Sequence, residues 1–182
     1  MWWYLTRATG IVATVLGVAA LVWGFFFSSR NMGDRRRPAW WLDLHNYLGG
    51  LTLLFAGIHI AAAYIDTTYS GIGLKQILVP NTYTFQPWAM TWGVLATYLF
   101  VIAVFTSWPR RLFSRRTWRV LHLGSVFGVF FAGLHGWQMG SDAKTKLFEI
   151  TVIAGAAVGV YATFVRVFSV LAQRQQQRPA KR

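Results

Sequence analysis

Five apolar runs, each about 20 residues long, most constrain what this chain can fold into, because a helix of that length spans the hydrocarbon core of a bilayer. We predict an all-α integral membrane protein, a bundle of about five transmembrane helices. No basic segment precedes the first run, and that run is too long for a signal peptide, so we interpret it as a retained helix. The predicted helices cover residues 4–27, 40–65, 88–107, 117–138 and 147–171.

Basic residues set the predicted orientation. The chain carries a net charge of +13, and most of its positive side chains fall in alternate connections and in the C-terminal tail. The positive-inside rule places these segments in the cytoplasm and the N-terminus outside. We expect the cytoplasmic membrane of a bacterium as the location. The arginines concerned are Arg30, Arg35, Arg36, Arg37, Arg110, Arg111, Arg115, Arg116, Arg119, Arg174, Arg178 and Arg182.

The composition argues against a nucleic-acid partner and excludes sites that need cysteine. The basic residues lie between apolar runs rather than on a soluble module with interleaved aromatics, so no nucleic-acid partner is expected. The chain has no cysteine, which excludes disulfides, iron–sulfur clusters and thiolate-bound metals. We expect one domain in the lipid bilayer over residues 1–171, followed by a basic, polar cytoplasmic tail over residues 172–182.

All four histidines lie in two matching segments. LHNYLGGLTLLFAGIH contains His45 and ends at His59, and LHLGSVFGVFFAGLH contains His122 and ends at His135. An ionisable side chain inside a membrane helix is costly and usually functional. The two segments lie on helices separated by one crossing, which therefore run parallel. Each histidine is thus expected at the depth of its counterpart in the other segment.

The spacing between the histidines indicates two sites rather than one. It is 14 residues in the first segment and 13 in the second, or about 20 Å along a helix, too far for one metal ion. Two sites stacked across the membrane fit, each with one imidazole from each helix, and we predict two bis-histidine haem b groups. A step of 13 residues misses the same helical face by about 140°. The fourth helix is therefore expected to be irregular, or to present its haems at different azimuths.

Small residues flank the histidines. An Ala-Gly pair precedes the last histidine of each segment, and a glycine lies one turn after His45. A porphyrin face needs a helix surface without bulk, although small residues are also common in ordinary membrane-helix packing. The residues are Gly49, Ala56, Gly57, Ala132 and Gly133.

The paired histidines resemble the ferric-reductase-like transmembrane domain, the family of NADPH oxidases, eukaryotic ferric reductases and the haem subunit of the bacterial methionine sulfoxide reductase system. The resemblance covers the chain from about Arg7 to Arg166 and implies electron transfer through two haems. It implies that Arg7, in the run RATG, lies near the outer haem; a snorkelling arginine at a helix end is the alternative. Ala63 stands where the oxidases carry a further histidine, which weighs against superoxide production.

The expected path starts at the inner haem, between the first histidines of the two segments, and leaves from the outer haem. Full-length reductases of this family continue into a flavin- and NADPH-binding domain, and this sequence ends after its last helix. A separate flavoprotein or quinol is therefore the expected electron donor, and any flavin is expected to belong to it. Ferric iron, oxygen or an extracytoplasmic partner reductase is the expected acceptor. Arg119, with its neighbouring arginines, is a candidate for binding the inner haem propionates, for docking an acidic flavoprotein, or only for orientation.

Other functions remain open. A transporter or proton relay would need acidic partners along the helices. The acids nearest the helices, Asp43 and Glu149, lie near predicted helix ends, and none is expected in the middle of the membrane. A structural, haem-bearing anchor subunit of a larger complex would share every feature above. Irons with two histidine ligands have no open position for a substrate, so an acceptor is expected to be reduced at the haem edge. This favours electron transfer, and the leading interpretation is the membrane haem component of an oxidoreductase.

Overall fold

Long helices occupy all five apolar runs, because a backbone in hydrocarbon must satisfy its polar groups internally. The computed structural model of the chain describes residues 1–28, 40–107 and 112–176, and no strand occurs within those ranges. Five helices are long and apolar enough to cross a membrane, so the predicted all-α membrane fold is confirmed. The elements are α1 (Trp2–Ser28), α2 (Trp40–Ile65), α3 (Leu74–Leu78), α4 (Pro87–Ser107), α5 (Arg115–Met139), a 3₁₀ turn (Ser141–Lys144) and α6 (Lys146–Gln176).

Helix ends differ from the predicted ones by up to five residues. Helix α4 begins at Pro87 because proline suits the first helical position, where no intrahelical N–H bond is lost. Helix α5 begins after Ser114, whose Oγ accepts a hydrogen bond from the backbone N–H of Thr117 at 3.1 Å. Helix α6 runs to Gln176, since the residues after Leu171 are good helix formers. The predicted tail therefore starts inside this helix, and its last six residues lie outside the described ranges.

The five long helices form two hairpins and one flanking helix. Helix α1 packs along α2, and α4 packs along α5. The hairpins meet mainly through α1 against α5 and α2 against α4, whereas α2 and α5 do not pack closely along their described lengths. Helix α6 lies against α1, where Gly155 faces Val18. The two histidine-bearing helices therefore approach each other through side chains rather than backbones.

The two hairpins repeat one another in sequence and in local structure. GIVATVLGVAALVWG in α1 and GVLATYLFVIAVFTS in α4 share six of 15 positions, starting at Gly10 and Gly93. The threonine of each copy, Thr14 or Thr97, donates from its hydroxyl to the carbonyl of that glycine at 2.9 Å. Each hairpin thus consists of a supporting helix followed by a histidine helix. We did not predict this repeat in the supporting helices, although the sequence carries it.

Candidate functional site

The four histidines form two pairs, each joining α2 to α5. The ring centroids of His45 and His122 lie 5.8 Å apart, with the ring planes at 69°. Those of His59 and His135 lie 6.1 Å apart, at 88°. One metal ion bonded to a nitrogen of each ring at about 2.0–2.1 Å would separate the centroids by about 6.3 Å. The structure thus brings together the histidines that the sequence paired, at separations that suit a metal between two imidazoles.

Among the described residues, neither pair is part of a larger set of ligands. Within the described ranges, no three His, Asp or Glu side chains converge as a metal site would require. A structural or catalytic zinc site draws at least three ligands from the protein. Two facing imidazoles instead match the axial ligands of a planar group that supplies the other donors itself.

Three of the histidines donate a hydrogen bond from Nδ1 to a main-chain carbonyl of the supporting helix in their own hairpin. A carbonyl oxygen only accepts, so the proton of each ring must be on Nδ1. Nε2 then carries the lone pair, which is the form of imidazole that binds a metal. The bonds run from His45 to Ala20 at 3.1 Å, from His59 to Thr6 at 2.7 Å and from His135 to Ala89 at 2.8 Å.

A glycine one helical turn after each of these carbonyls lets the ring approach. A Cβ atom built at any of the three would come closer to the imidazole than real Cβ atoms do, so even alanine would push the ring away. These glycines were not among the predicted site residues, but two of them open the repeat described above. The nearest distances are 2.8 Å from Gly10 to His59 Nδ1, 2.9 Å from Gly24 to His45 Cε1 and 2.8 Å from Gly93 to His135 Nδ1.

His122 is supported in a different way. At the position where the repeat would place a fourth glycine, α4 has Ser107, whose Oγ lies 3.2 Å from His122 Nδ1. The serine hydroxyl donates to the carbonyl of Ala103 at 2.6 Å, so its single proton is committed and it accepts from His122. Trp118 donates from Nε1 to the same oxygen at 3.3 Å. The Trp118 ring also stacks on the His122 imidazole, with centroids 5.1 Å apart and planes at 20°.

The 13-residue step of α5 accounts for this difference. The supporting helices offer their carbonyls at 14-residue intervals, and α2 spaces its histidines by 14 residues as well. Helix α5 is continuous from Arg115 to Met139, so it does not have the irregularity offered as one explanation of the spacing. His122 is consequently one residue out of register with the carbonyl of Ala103. The hydroxyl of Ser107, itself bonded to that carbonyl, spans the difference.

Between the two pairs, the middle of the bundle is filled by apolar groups. Phe100 Cζ lies 3.8 Å from a Cβ built at Gly17, and Phe100 Cε1 lies 3.0 Å from one built at Gly128. The buried Thr52 turns its hydroxyl back to the carbonyl of Leu48 and its methyl towards Gly17, at 3.4 Å. One aromatic ring thus fills the volume that two glycines on other helices leave open. An apolar layer separates the two histidine pairs.

Other glycines beside the histidines face open space. A Cβ atom built at Gly49, Gly57 or Gly133 meets no heavy atom within 4 Å. The sequence indicated these three positions as surfaces without bulk. They contrast with the glycines behind the rings, where a Cβ atom would collide. Open positions of this kind accept a flat group or a lipid chain, whereas those behind the rings accept only the imidazole.

Arg7 lies at the level of the outer pair. It follows Thr6, whose carbonyl accepts the hydrogen bond from His59. Its guanidinium carbon lies 6.0 Å from the ring centroid of Trp3, within the range of a cation–π contact. Trp3 packs in turn against Tyr69 of the connection between α2 and α3, with centroids 5.6 Å apart.

Arg119 lies at the level of the inner pair, on α5 and three residues before His122. It is exposed, as are Arg115 and Arg116 at the start of the same helix. These three side chains form a basic surface beside the inner pair, which we call the α5 arginine cluster. Of the other arginines predicted for this side, those at positions 30, 35–37, 110, 111, 178 and 182 lie outside the described ranges.

Comparison with known families gives one finding. The model of a family described as "Ferric reductase like transmembrane component" matches residues 9–134. The matched region takes in α1 from Thr9 onward, α2, α3, α4 and nearly all of α5. It includes three of the four histidines and stops one residue before His135. A search of curated proteins found no significant match.

Proposed function

Because this chain belongs to the ferric reductase like transmembrane component family, we propose that it is the membrane haem subunit of an oxidoreductase, passing electrons across the bilayer through two b-type haems. The family supports electron transfer within a membrane. The haems, their ligands, the partners and the direction of flow are proposed here on the geometry and the charge pattern.

The proposal rests on two pairs of facing imidazoles, one pair at each level of the bundle. Each imidazole is held as its Nδ1–H tautomer. His45 and His122 would hold the inner haem, and His59 and His135 the outer haem, each through Nε2. When bound, each haem supplies a one-electron ferric/ferrous couple. The supporting helices orient the rings, because a carbonyl or hydroxyl acceptor behind each Nδ1 and a small residue beside it leave the imidazole one position.

The groups that lie between the two sites are apolar. Fourteen residues separate His45 from His59, which places the two levels about 21 Å apart along α2. The layer formed by Phe100 and Thr52 lies between them and would help to exclude water from the middle of the bundle. With the N-terminus outside, outward electron flow releases about 2.3 kcal/mol per 100 mV for a full crossing of the membrane.

The ends of the path are assigned from charge and position. On the cytoplasmic side of a bacterial cell membrane, the α5 arginine cluster would receive an acidic flavoprotein, with a quinol as the other donor class. Arg119 would bind an inner haem propionate, and Arg7 an outer one. Ferric iron, oxygen or an extracytoplasmic reductase would take the electrons at the outer haem edge.

The geometry argues against the proton-relay alternative. Three of the Nδ1–H groups end on carbonyl oxygens, which accept a hydrogen bond but do not hand a proton onward. Among the described side chains of the layer between the pairs, Phe100 and Thr52 offer no titratable group to continue a relay. The histidine pairs are therefore better suited to binding fixed groups than to shuttling protons.

A set of histidine variants tests the proposal. The full chain is purified from cells supplied with haem, and haem per chain is counted alongside the reduced-minus-oxidised visible spectrum. The wild type should hold two b-type haems. Variants H45A and H122A should each lose the inner haem, and H59A and H135A the outer one, leaving one haem per chain in every case.

Asn46→Ala provides the control, because Asn46 is exposed beside His45 and is not a proposed ligand. It should keep both haems. A wild-type chain that binds no haem, or single variants that lose haem without regard to the pairing, would sink the proposal.

A further inference from the structure

We infer that Ser107 and Trp118 hold the reduction potential of the inner haem above the value that the carbonyl support used at the other three histidines would give it. This inference rests on the proposed function. Ser107 is a positioning residue, since it acts on the iron only through His122. The observation behind it is the single departure from the support pattern, at the fourth histidine.

The acceptors behind the four rings differ in strength. Each supporting carbonyl also accepts a hydrogen bond within its own helix, and that of Thr6 accepts one more from Thr9 Oγ1 at 3.2 Å. Even so, an amide carbonyl is a stronger acceptor than the hydroxyl oxygen of Ser107, which accepts from Trp118 Nε1 as well as from His122 Nδ1. The bond from His122 is also the longest of the four, at 3.2 Å against 2.7–3.1 Å for the carbonyl bonds. The Nδ1 bond of His122 is therefore the weakest of the four Nδ1 bonds.

The strength of this bond sets the donor strength of the ligand. A strong acceptor at Nδ1 gives the imidazole more imidazolate character and raises its basicity towards the metal. A more basic ligand stabilises ferric iron over ferrous iron and lowers the potential. Since the Ser107 hydroxyl is a weaker acceptor than an amide carbonyl, it leaves the inner iron easier to reduce. Each reduction step adds one electron to one iron.

The hydroxyl cannot reverse its role without breaking a shorter bond. Its proton is held by the carbonyl of Ala103 at 2.6 Å, so Oγ is presented to His122 and Trp118 as an acceptor only. Trp118 also stacks on the imidazole, which restricts rotation of the ring away from Ser107. The arrangement is thus a fixed adjustment of the ligand rather than a switch.

The glycine pattern makes two substitutions at Ser107 act in opposite directions. Ser107→Gly removes the Cβ atom, so the ring can move across the one-residue offset and donate directly to the carbonyl of Ala103, as the rings beside Gly10, Gly24 and Gly93 donate to theirs. Ser107→Ala removes the hydroxyl but keeps the Cβ atom, which blocks the ring from the carbonyl. The bond is strengthened in the first variant and lost in the second.

The test is a potentiometric titration of the purified full chain, followed in the visible haem bands. We expect the inner haem potential to fall in S107G, to rise in S107A and to stay near the wild-type value in S107T, while the outer haem potential stays unchanged in all three. A tenfold change in the preference of the ligand for ferric over ferrous iron corresponds to about 59 mV for a one-electron couple. The inner haem is identified by repeating the titration in H59A, which lacks the outer ligand.

Trp118→Phe gives a second route that does not alter Ser107. It keeps an aromatic ring over His122 but removes the competing N–H donor, so the Ser107 oxygen should accept more strongly and the inner potential should fall. If the chain holds two haems and none of S107A, S107G and W118F changes the reduction potential of the inner haem, the inference is wrong and the proposed function stands. A wild-type chain without haem overturns both.

Discussion

The imidazole planes of His59 and His135 stand at 88° to each other. The two rings are held by carbonyls of different helices, His59 by Thr6 on α1 and His135 by Ala89 on α4. Each ring therefore takes its orientation from its own hairpin, and the angle between them is a property of how the hairpins pack. At the inner pair the corresponding angle is 69°.

This angle predicts the spectrum of the oxidised protein. Axial imidazoles near a right angle leave two iron d orbitals almost equal in energy, which gives a highly anisotropic low-spin ferric signal. Electron paramagnetic resonance of the full chain should show two such signals, with the larger maximum g value from the outer haem. H45A should keep that outer signal and H59A should remove it. A rhombic signal typical of parallel imidazoles at both sites would contradict the ring orientations.

Substitution of a supporting glycine should remove one haem without touching a ligand. In Gly93→Ala the new Cβ atom would lie 2.8 Å from His135 Nδ1, so the ring must leave its carbonyl acceptor. Loss of the hydrogen bond behind a metal-binding histidine weakens metal binding by about 10–100-fold. Haem per chain should fall from two towards one, with the inner haem retained. Gly159→Ala on α6, where a Cβ atom meets nothing within 4 Å, is the matched control and should keep both haems.

Phe100 should stabilise the bundle through the space it fills. Phe100→Ala leaves a void beside Gly17 and Gly128, and removing a buried aromatic ring costs about 3–5 kcal/mol, less where the ring is only half-buried as here. Thermal unfolding in detergent should occur at a lower temperature. Phe105→Ala, which removes a ring that is 63% exposed, should have a much smaller effect. Adding Gly128→Leu to Phe100→Ala should recover part of the loss, since the two side chains share one space.

The α5 arginine cluster should control reduction by an acidic flavoprotein. Changing Arg115 and Arg116 to glutamine should slow reduction of the chain by such a donor, because long-range attraction is lost. The wild-type rate should fall as salt is raised from 0.01 to 0.15 M, as the Debye length shortens from about 30 to about 8 Å, and the variant should depend on salt much less. Equal rates for both proteins at every salt concentration would direct attention to a quinol donor.

The absence of cysteine allows the orientation to be measured directly. Lys75→Cys, in α3, should react with a membrane-impermeant maleimide added to whole cells, because the charge pattern places this connection outside. Arg116→Cys, at the start of α5, should react only after the membrane is opened. The reverse pattern of labelling would invert the proposed direction of electron flow.

Several features of the site could be predicted from residues alone. The five spans follow from length and polarity, because the thickness of the hydrocarbon core acts on each segment separately. The pairing of His45 with His122, and of His59 with His135, follows from equal depth on two parallel helices. The repeat of Gly10 in α1 as Gly93 in α4 is also visible in the sequence and indicates the supporting helices.

The tertiary structure alone decided what stands behind each histidine. The acceptors for His59 and His135 are main-chain carbonyls, and every residue has a carbonyl, so no residue type marks them. The substitution of Ser107 for a glycine, the contact of Trp118 with His122 and the filling of the bundle by Phe100 depend on which helices touch and in what register. By itself, the sequence determined the membrane spans and the depth of each imidazole, because these depend on properties of single helices. The orientation and donor strength of each ring were decided by packing between helices, because a hydrogen bond requires two groups that are distant in the chain to meet within about 3 Å.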